Sequence, residues 1–295
     1  MGTGFFLALL AGFIWSCGNV LHKLLASKLI RSPFFMLLIF SSVAGIFGII
    51  LFALEPVMMR GYDLLLAIAA GVLYFGAAFL YLYAMKTEEA SRVVPLFSIG
   101  TVLIVLFSGL FLGEVFSVRQ YTGIFLVILG SAVISIESHI FSFLKSRLLG
   151  IMVAAGILFA FNALLVKVLL RTHSFMQVFS HVSFVEGIAG AMLAFMLLPA
   201  LRRTLRRISV RHVVLNACAE AASIGGELIY TIALSLWYLA LVETVASLQY
   251  AFIFLWGIAL SKYRPQVLSE RVSGRLMLQK GAAILLIIAG IYLIA

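Results

Sequence analysis

The chain has 295 residues, 64% of them hydrophobic and 11% charged, with a mean hydropathy of +1.20. A soluble domain has about a quarter of its residues charged, so a soluble enzyme, a disordered chain and a nucleic-acid-binding domain are excluded as first readings, and lipid is the solvent for most of the length. The formal charge of +10 then reads as a membrane feature, because basic residues beside spans set orientation and touch anionic lipid.

A span needs about 20 mostly apolar residues. Ten such stretches follow in chain order, at residues 3–25, 33–54, 63–85, 90–112, 119–138, 148–170, 175–199, 212–239, 243–261 and 277–295. The first lacks the basic leader of a signal peptide, which predicts a retained span. Short breaks rich in charge, Gly or Pro separate the stretches: Lys28 to Pro33, Glu55-Pro56, Lys86 to Glu89, Lys145 to Arg147 and Arg202 to Arg211. The apolar runs are continuous and lack the two-residue alternation of barrel strands. The expected fold class is an all-α integral membrane protein with ten transmembrane helices. Cys17 and Cys218 lie within apolar stretches and read as buried structural thiols. No zinc spacing, P-loop or dinucleotide fingerprint occurs, so no cofactor or metal is expected, and no nucleic-acid partner.

Counted by side, the odd-numbered loops hold 17 of the 21 Lys and Arg residues, and Arg60, Arg119, Lys167 and Arg171 fall on the other side. That bias predicts odd loops in the cytoplasm and both termini outside, in a multi-pass protein of the cell membrane.

Ten spans divide into five and five, at residues 1–144 and 145–295. Gly12, Trp15 and Lys23 match Gly156, Phe159 and Lys167 at an offset of 144, and Ala84, Ala90 and Ser91 match Ala240, Ala246 and Ser247 at 156. Gly130 in the fifth span matches Gly290 in the tenth. Five is odd, so the second half enters the membrane from the opposite side, which makes an inverted repeat. Secondary transporters recurrently have that architecture, with the substrate site at the midplane between the repeats.

Ionisable groups within spans cost roughly 2.5–3.5 kcal/mol each and usually face a bundle interior or a water-filled cavity. Three carboxylates fall deep: Glu186 in the seventh span, and Glu220 and Glu227 in the eighth; the other acidic residues are placed in loops or near span ends. Glu220 and Glu227 are two helical turns apart, so they share a face about 10 Å apart along the axis. Asn216, Ser223 and Tyr230 lie on roughly that face. Gly225-Gly226 between the acids would admit a neighbouring helix or allow a local break. One reading is a proton- or cation-responsive stripe along a translocation cavity, since low dielectric disfavours a charged carboxylate. The other is an interhelical bond or ion pair, for instance with Lys167 or His181. Asn19, His22, Asn162, Gln177, His181 and Gln249 are further polar groups at depth. His181 reads first as a satisfied interior histidine, and Asn19 and Gln249 equally as helix–helix glue or substrate contacts. Tyr74 and Tyr81 share a face of the third span, while Trp237 and Tyr238 suit an interfacial belt. The basic run Arg202 to Arg207 reads first as a contact to lipid headgroups.

The chain resembles the drug/metabolite transporter superfamily, in its ten-helix branch built of two EamA-like halves. Gly12, Trp15 and Lys23 carry the resemblance, with Ala84-Met85 to Ala90-Ser91, Pro95, Leu112-Gly113-Glu114, and Gly123 to Gly130. The second half departs from the pattern, with Ala251 where Pro95 stands in the first and Ser261 to Pro265 in place of a Leu-Gly-Glu. The resemblance implies cytoplasmic termini and the charge count the reverse; the charge count is preferred here. It also implies that the first, third and fourth spans of each half line the cavity. Carried onto this chain, that favours Asn19, Tyr74, Tyr81, Ser98, Asn162, Glu220, Glu227, Gln249 and Tyr250 for substrate binding or coupling, with Glu186 and His181 as secondary candidates. The implied function is a secondary transporter of a small metabolite, amino-acid-like or otherwise polar or amphipathic. It would export its substrate by alternating access coupled to protons, with Pro95 and Gly225-Gly226 as hinges. The alternative is a flippase for a lipid-linked headgroup, which would need a lipid-facing gap beside Glu220. A membrane enzyme lacks a nucleophile–base pair, and a channel lacks a ring of repeated charges. Expected partners are the small-molecule substrate, membrane lipid and protons; the oligomeric state is left open.

Overall fold

Each predicted apolar run contains a helix over the residues that the computed structural model describes, which are 2–25, 29–30, 32–87, 93, 98–135, 147–205, 208–263 and 274–294; the first residues of the fourth expected span and the last of the fifth lie outside them. In chain order the helices are α1 (Thr3–Leu24), α2 (Pro33–Leu54), α3 (Gly61–Thr87), α4 (Ser98–Leu112), α5 (Val118–Ser135) and α6 (Arg147–Leu169). Then follow α7 (Phe175–Met196), α8 (Leu198–Leu205), α9 (Val210–Leu236), α10 (Leu239–Ala246), α11 (Gln249–Tyr263) and α12 (Gly274–Ile294). Eight crossings are long and apolar enough to span a bilayer, with α10 and α11 counted together as Leu239–Leu260, while α4 and α5 are shorter apolar helices. Among the described residues that makes ten spans and no strand. Large apolar side chains stand exposed on the outside, such as Ile49, Leu110 and Phe195, as a lipid solvent allows.

Local chemistry sets the helix starts. Ser32 accepts the Phe35 N–H ahead of Pro33, a serine cap with proline in the first turn. Ser174 and Gln177 form a reciprocal capping box at α7, so Gln177 serves a helix end. Ser209 caps α9 by accepting from His212 N.

Several span boundaries differ from the sequence expectation, two of them with structural consequence. The seventh span stops at Met196, and the short helix α8 follows, carrying Arg202 and Arg203; Arg206 and Arg207 lie outside the described residues. The ninth span begins at Leu239, four residues earlier than expected, because Trp237 and Tyr238 are extended and end α9 there. It also tightens at Ser247-Leu248, where Leu248 N bonds Val245 O and Tyr250 N bonds Ser247 O, a single turn of i→i+3 pattern between α10 and α11. In contrast, α9 runs unbroken through Gly225-Gly226, which removes the break considered there. Gly226 is instead the place where Trp15 crosses, since a Cβ on it would stand 2.8 Å from Trp15 Cδ1. Both cysteines are free; Cys17 is half-buried and Cys218, on the outward face of α9, is exposed, so neither is the fully buried thiol expected.

The helices pair closely through small residues. α1 packs on α9, α3 on α6, α2 on α7 and α5 on α12; α4 also packs on α6, and α10 and α11 on α1. Exchanging the first five spans for the last five maps each pairing onto another, α1–α9 onto α6–α3 and α4–α6 onto α10/α11–α1, while α2–α7 and α5–α12 map onto themselves. Single contacts follow the same exchange. A Cβ on Gly48 would meet Ser183 Cβ at 3.1 Å, and one on Gly190 would meet Ser41 Cβ, a reciprocal pair at an offset of 142. Gly123 meets Gly290 O, and Gly130 meets Ala283 O, reciprocal at an offset of 160. Without a hydrophobic drive between helices in lipid, such close backbone approach is a main source of association.

Candidate functional site

Three helices turn polar faces toward one another. On α1, Trp15, Asn19 and His22 are four and three residues apart, so they share a face. On α3 the same holds for Tyr74, Ala77, Ala78 and Tyr81, and on α9 for Glu220, Ser223 and Glu227. Together with Phe40 of α2, Phe159 of α6, Glu243 of α10 and Gln249 and Tyr250 of α11, these residues line a cavity of about 850 Å³, counting the space at its mouth. A smaller cavity of about 390 Å³ adjoins it across Phe40, Tyr74 and Glu227, and adds Asn162, Ser183, Glu186 and Thr231.

Hydrogen bonds knit the walls across elements distant in sequence. Asn19 Nδ2 donates to Gln249 Oε1 at 3.0 Å, and Tyr81 Oη donates to Asn19 Oδ1 at 2.5 Å. Tyr74 Oη donates to Glu227 Oε2 at 3.1 Å. Glu243 is held twice, by Thr101 Oγ1 at 2.8 Å and Tyr230 Oη at 2.9 Å. His22 Nε2 stands 3.1 Å from Glu220 Oε2, with both side chains buried. Trp15 Nε1 donates to the Ser223 carbonyl at 3.2 Å.

The cavity lies toward the ends of α1 and α3 and the start of α9, the side of the odd-numbered loops. The opposite side is tightly packed. A Cβ on Gly12 would stand 2.5 Å from Ala246 O. Lys167 Nζ donates to Leu234 O at 2.6 Å and Trp237 O at 2.7 Å, which satisfies carbonyls at the end of α9. Glu114 accepts from Leu239 N and Ala240 N at 2.8 and 3.1 Å, a carboxylate at the positive end of α10.

Of the sequence-derived candidates, the structure brings Asn19, Tyr74, Tyr81, Glu220, Glu227, Gln249 and Tyr250 to the larger cavity, and Asn162 and Glu186 to the smaller. Asn162 there donates to Ala70 O at 3.0 Å. Ser98 begins α4, but its side chain lies outside the described ones, as does Pro95. His181 sits apart from both cavities: it accepts from Met59 N at 3.1 Å, and its Nδ1 stands 2.8 Å from Gln177 O. It ties the segment before α3 to α7. The ion-pair partners considered for the acids are also corrected. Lys167 is engaged by backbone carbonyls and His181 by backbone groups, so the partner of Glu220 is His22 of α1.

Sequence reasoning missed Glu243, which is 3% exposed and lines the cavity. Starting the ninth span at residue 243 put this acid at a span end. The run Leu239-Ala240-Leu241-Val242 before it was the available signal. Glu114 was likewise assigned to a loop, yet it is 7% exposed and bonded to α10. Among the described residues no group of three or more His, Cys, Asp or Glu is placed to hold a metal ion.

Comparisons with known proteins agree with this architecture. A model of the EamA-like transporter family matches residues 2–136. An uncharacterized protein of Methanocaldococcus jannaschii is 33% identical over 140 residues, which are 47% of this chain and 100% of that protein. A protein of known crystal structure superposes with a TM-score of 0.71 at 14% identity, covering 99% of this chain and 95% of the other, so the fold is shared over the full length. Members of the matched family are transporters, not enzymes, and the ten apolar spans make the chain a multi-pass membrane protein. The chain belongs to the EamA-like transporter family, within the drug/metabolite transporter superfamily.

Proposed function

We propose that this small-molecule membrane transporter is a secondary transporter working by alternating access, and that residues 1–144 and 145–295 are its two inverted halves. The observation that carries the reading is the larger cavity, lined from both of them. Asn19 and Tyr74 come from one half, Glu227 and Gln249 from the other, and they meet across it. The exchange of helix pairings between the halves supports a two-fold relation. A cavity on one side, with close glycine packing on the other, is what one end state of a rocking mechanism requires. The proposed substrate is a small polar or amphipathic metabolite, amino-acid-like or related, and the proposed direction is export across the cell membrane. With the odd loops in the cytoplasm, the cavity faces the compartment that supplies the substrate. A C-terminal tag reached only from outside agrees with this orientation; a tag reached only from the cytoplasm reverses it.

Glu227 is the proposed proton-exchanging group. It is half-buried at the cavity, and Tyr74 engages one of its oxygens. The test is purified protein in proteoliposomes, with a panel of metabolites first screened by thermal stabilisation at low and neutral pH. Flux driven by a pH gradient in the wild type, with the pH dependence lost in Glu227→Gln, is the expected result. Flux with unchanged pH dependence in the variant removes Glu227 from coupling and keeps the transporter. Glu220 is 1% exposed, which argues against the lipid-facing gap that a headgroup flippase needs; stabilisation only by a lipid-linked sugar would restore that reading.

A further inference from the structure

The larger cavity holds acids without basic partners to match them. Glu220, Glu227 and Glu243 line it, and among the described residues no Lys or Arg does. His22 pairs with Glu220. Glu227 and Glu243 receive hydroxyl groups only, from Tyr74, Thr101 and Tyr230. A hydroxyl stabilises an anion without neutralising it, and an uncompensated charge away from water is costly. Glu220, 1% exposed, also keeps one acceptor, Oε1, with no hydrogen-bond partner. That atom is itself buried, so Glu220 lines the cavity with one hydrogen bond unmet.

The rest of the wall is aromatic. Trp15 and Phe159 line it from opposite halves, and the Phe40 and Tyr74 rings stack at 5.9 Å. Ring faces attract cations, Trp most strongly. An ammonium group has three donors and no acceptor, so it meets both needs of these acids, charge and hydrogen bonds. A carboxylate on the ligand would face Glu220, Glu227 and Glu243 with no Lys or Arg to receive it.

Resting on the transporter reading above, we propose that the substrate is an organic cation, an amine on an aromatic or apolar body, and not a zwitterion or an anion. This narrows the amphipathic range to compounds that carry positive charge and lack a free carboxylate.

The experiment uses four probes of one body: phenethylamine (cation), 2-phenylethanol (neutral), phenylalanine (zwitterion) and phenylacetate (anion). Binding to the purified full chain at neutral pH is measured calorimetrically, and counterflow of each probe is measured in proteoliposomes. Phenethylamine is expected to bind at least tenfold tighter than each of the others. In Glu227→Gln the preference over 2-phenylethanol is expected to fall below threefold. The variant's melting curve checks its folding, and if it fails to fold, Phe159→Leu tests the ring wall by the same ratio. Equal or tighter binding of phenylalanine or phenylacetate, no preference for the amine, or no binding by any probe overturns the proposal. An amine preference without counterflow keeps the cation site and overturns the transporter reading. Counterflow of phenylalanine without an amine preference does the reverse.

Discussion

Trp15 of α1 lies 5.0 Å from Tyr230 of α9, and Phe159 of α6 lies 6.1 Å from Tyr74 of α3, measured between ring centroids. Phe159 follows Trp15 by 144 residues, and Tyr230 follows Tyr74 by 156. The two ring pairs each bridge residues 1–144 and 145–295, and exchanging the two segments turns one pair into the other. Gly12 and Gly156, themselves 144 residues apart, each cross a neighbouring helix closely, at Ala246 and at Gly100. The acids are not matched. At the offset of 156, Gly71 stands opposite Glu227 and Leu64 opposite Glu220. Close packing constrains both regions alike, because each crossing needs small residues on its own helices. A cavity lined from both halves needs only one set of charged groups, and every further buried charge adds cost. The frame is thus shared and the chemistry one-sided.

The largest expected effects come from the frame. A methyl at Gly12 would stand 2.5 Å from a backbone oxygen, where nothing flexible can yield. Gly12→Ala is expected to cost about 3 kcal/mol, the upper part of the overpacking range, read as a fall in melting temperature in detergent. At the matched Gly156 the nearest atom is Gly100 N at 3.1 Å, so Gly156→Ala should cost about 1 kcal/mol. Equal costs would mean that the two crossings are equally tight, contrary to these distances. Next in size is the one-sided chemistry. Glu227→Gln should lower transport at least tenfold, or about 1.4 kcal/mol in the barrier, with little change in melting temperature. A large loss of stability with normal transport in the surviving protein would make Glu227 part of the frame.

The two tyrosines sharpen the comparison at smaller scale. Tyr230 is 1% exposed and bonds Glu243, which is itself buried, so Tyr230→Phe leaves that carboxylate with Thr101 alone. A buried acceptor stripped of a donor costs about 1–2 kcal/mol. Tyr74 bonds Glu227, which is half-buried at the cavity where water can replace the hydroxyl, so Tyr74→Phe should cost about 0.5 kcal/mol in stability and act mainly on transport. The reverse ranking in thermal unfolding would move the structural role to the cavity side.

Much of this was legible in the sequence because lipid imposes a simple rule. Every span had to read as a continuous apolar run, and the ends of α1 and α2 fall within a residue of the expected ones. The spacing of Glu220 and Glu227 placed them on one face for the same reason, as helical geometry is local. Long-range pairing was not legible. His22 was recognised as polar at depth, but its match to Glu220 depends on α1 crossing α9. Glu243 was hidden by a boundary that the extended pair Trp237-Tyr238 and the Glu114 carboxylate set together. The tight turn at Ser247-Leu248 follows no proline or glycine, so no local signal announced it.

The smallest expected effect concerns the one polar difference between the matched ring pairs. Trp15 adds a hydrogen bond that Phe159 cannot make, from Nε1 to the Ser223 carbonyl at 3.2 Å. That carbonyl belongs to an intact helix, so the bond is an extra link between α1 and α9, not the rescue of an orphaned group. Interhelical bonds of this kind average about 0.6 kcal/mol in membrane proteins. Trp15→Phe makes the two pairs chemically alike and should lower the melting temperature by roughly 1–2 °C, leaving the tilted ring contact with Tyr230 in place. A drop several times larger would mean that Trp15 also fills the space above Gly226, where its ring edge lies 2.8 Å from the missing Cβ. In that case Gly226→Ala, which intrudes on the same space, should lose its cost when combined with Trp15→Phe, because the smaller ring leaves room for the methyl.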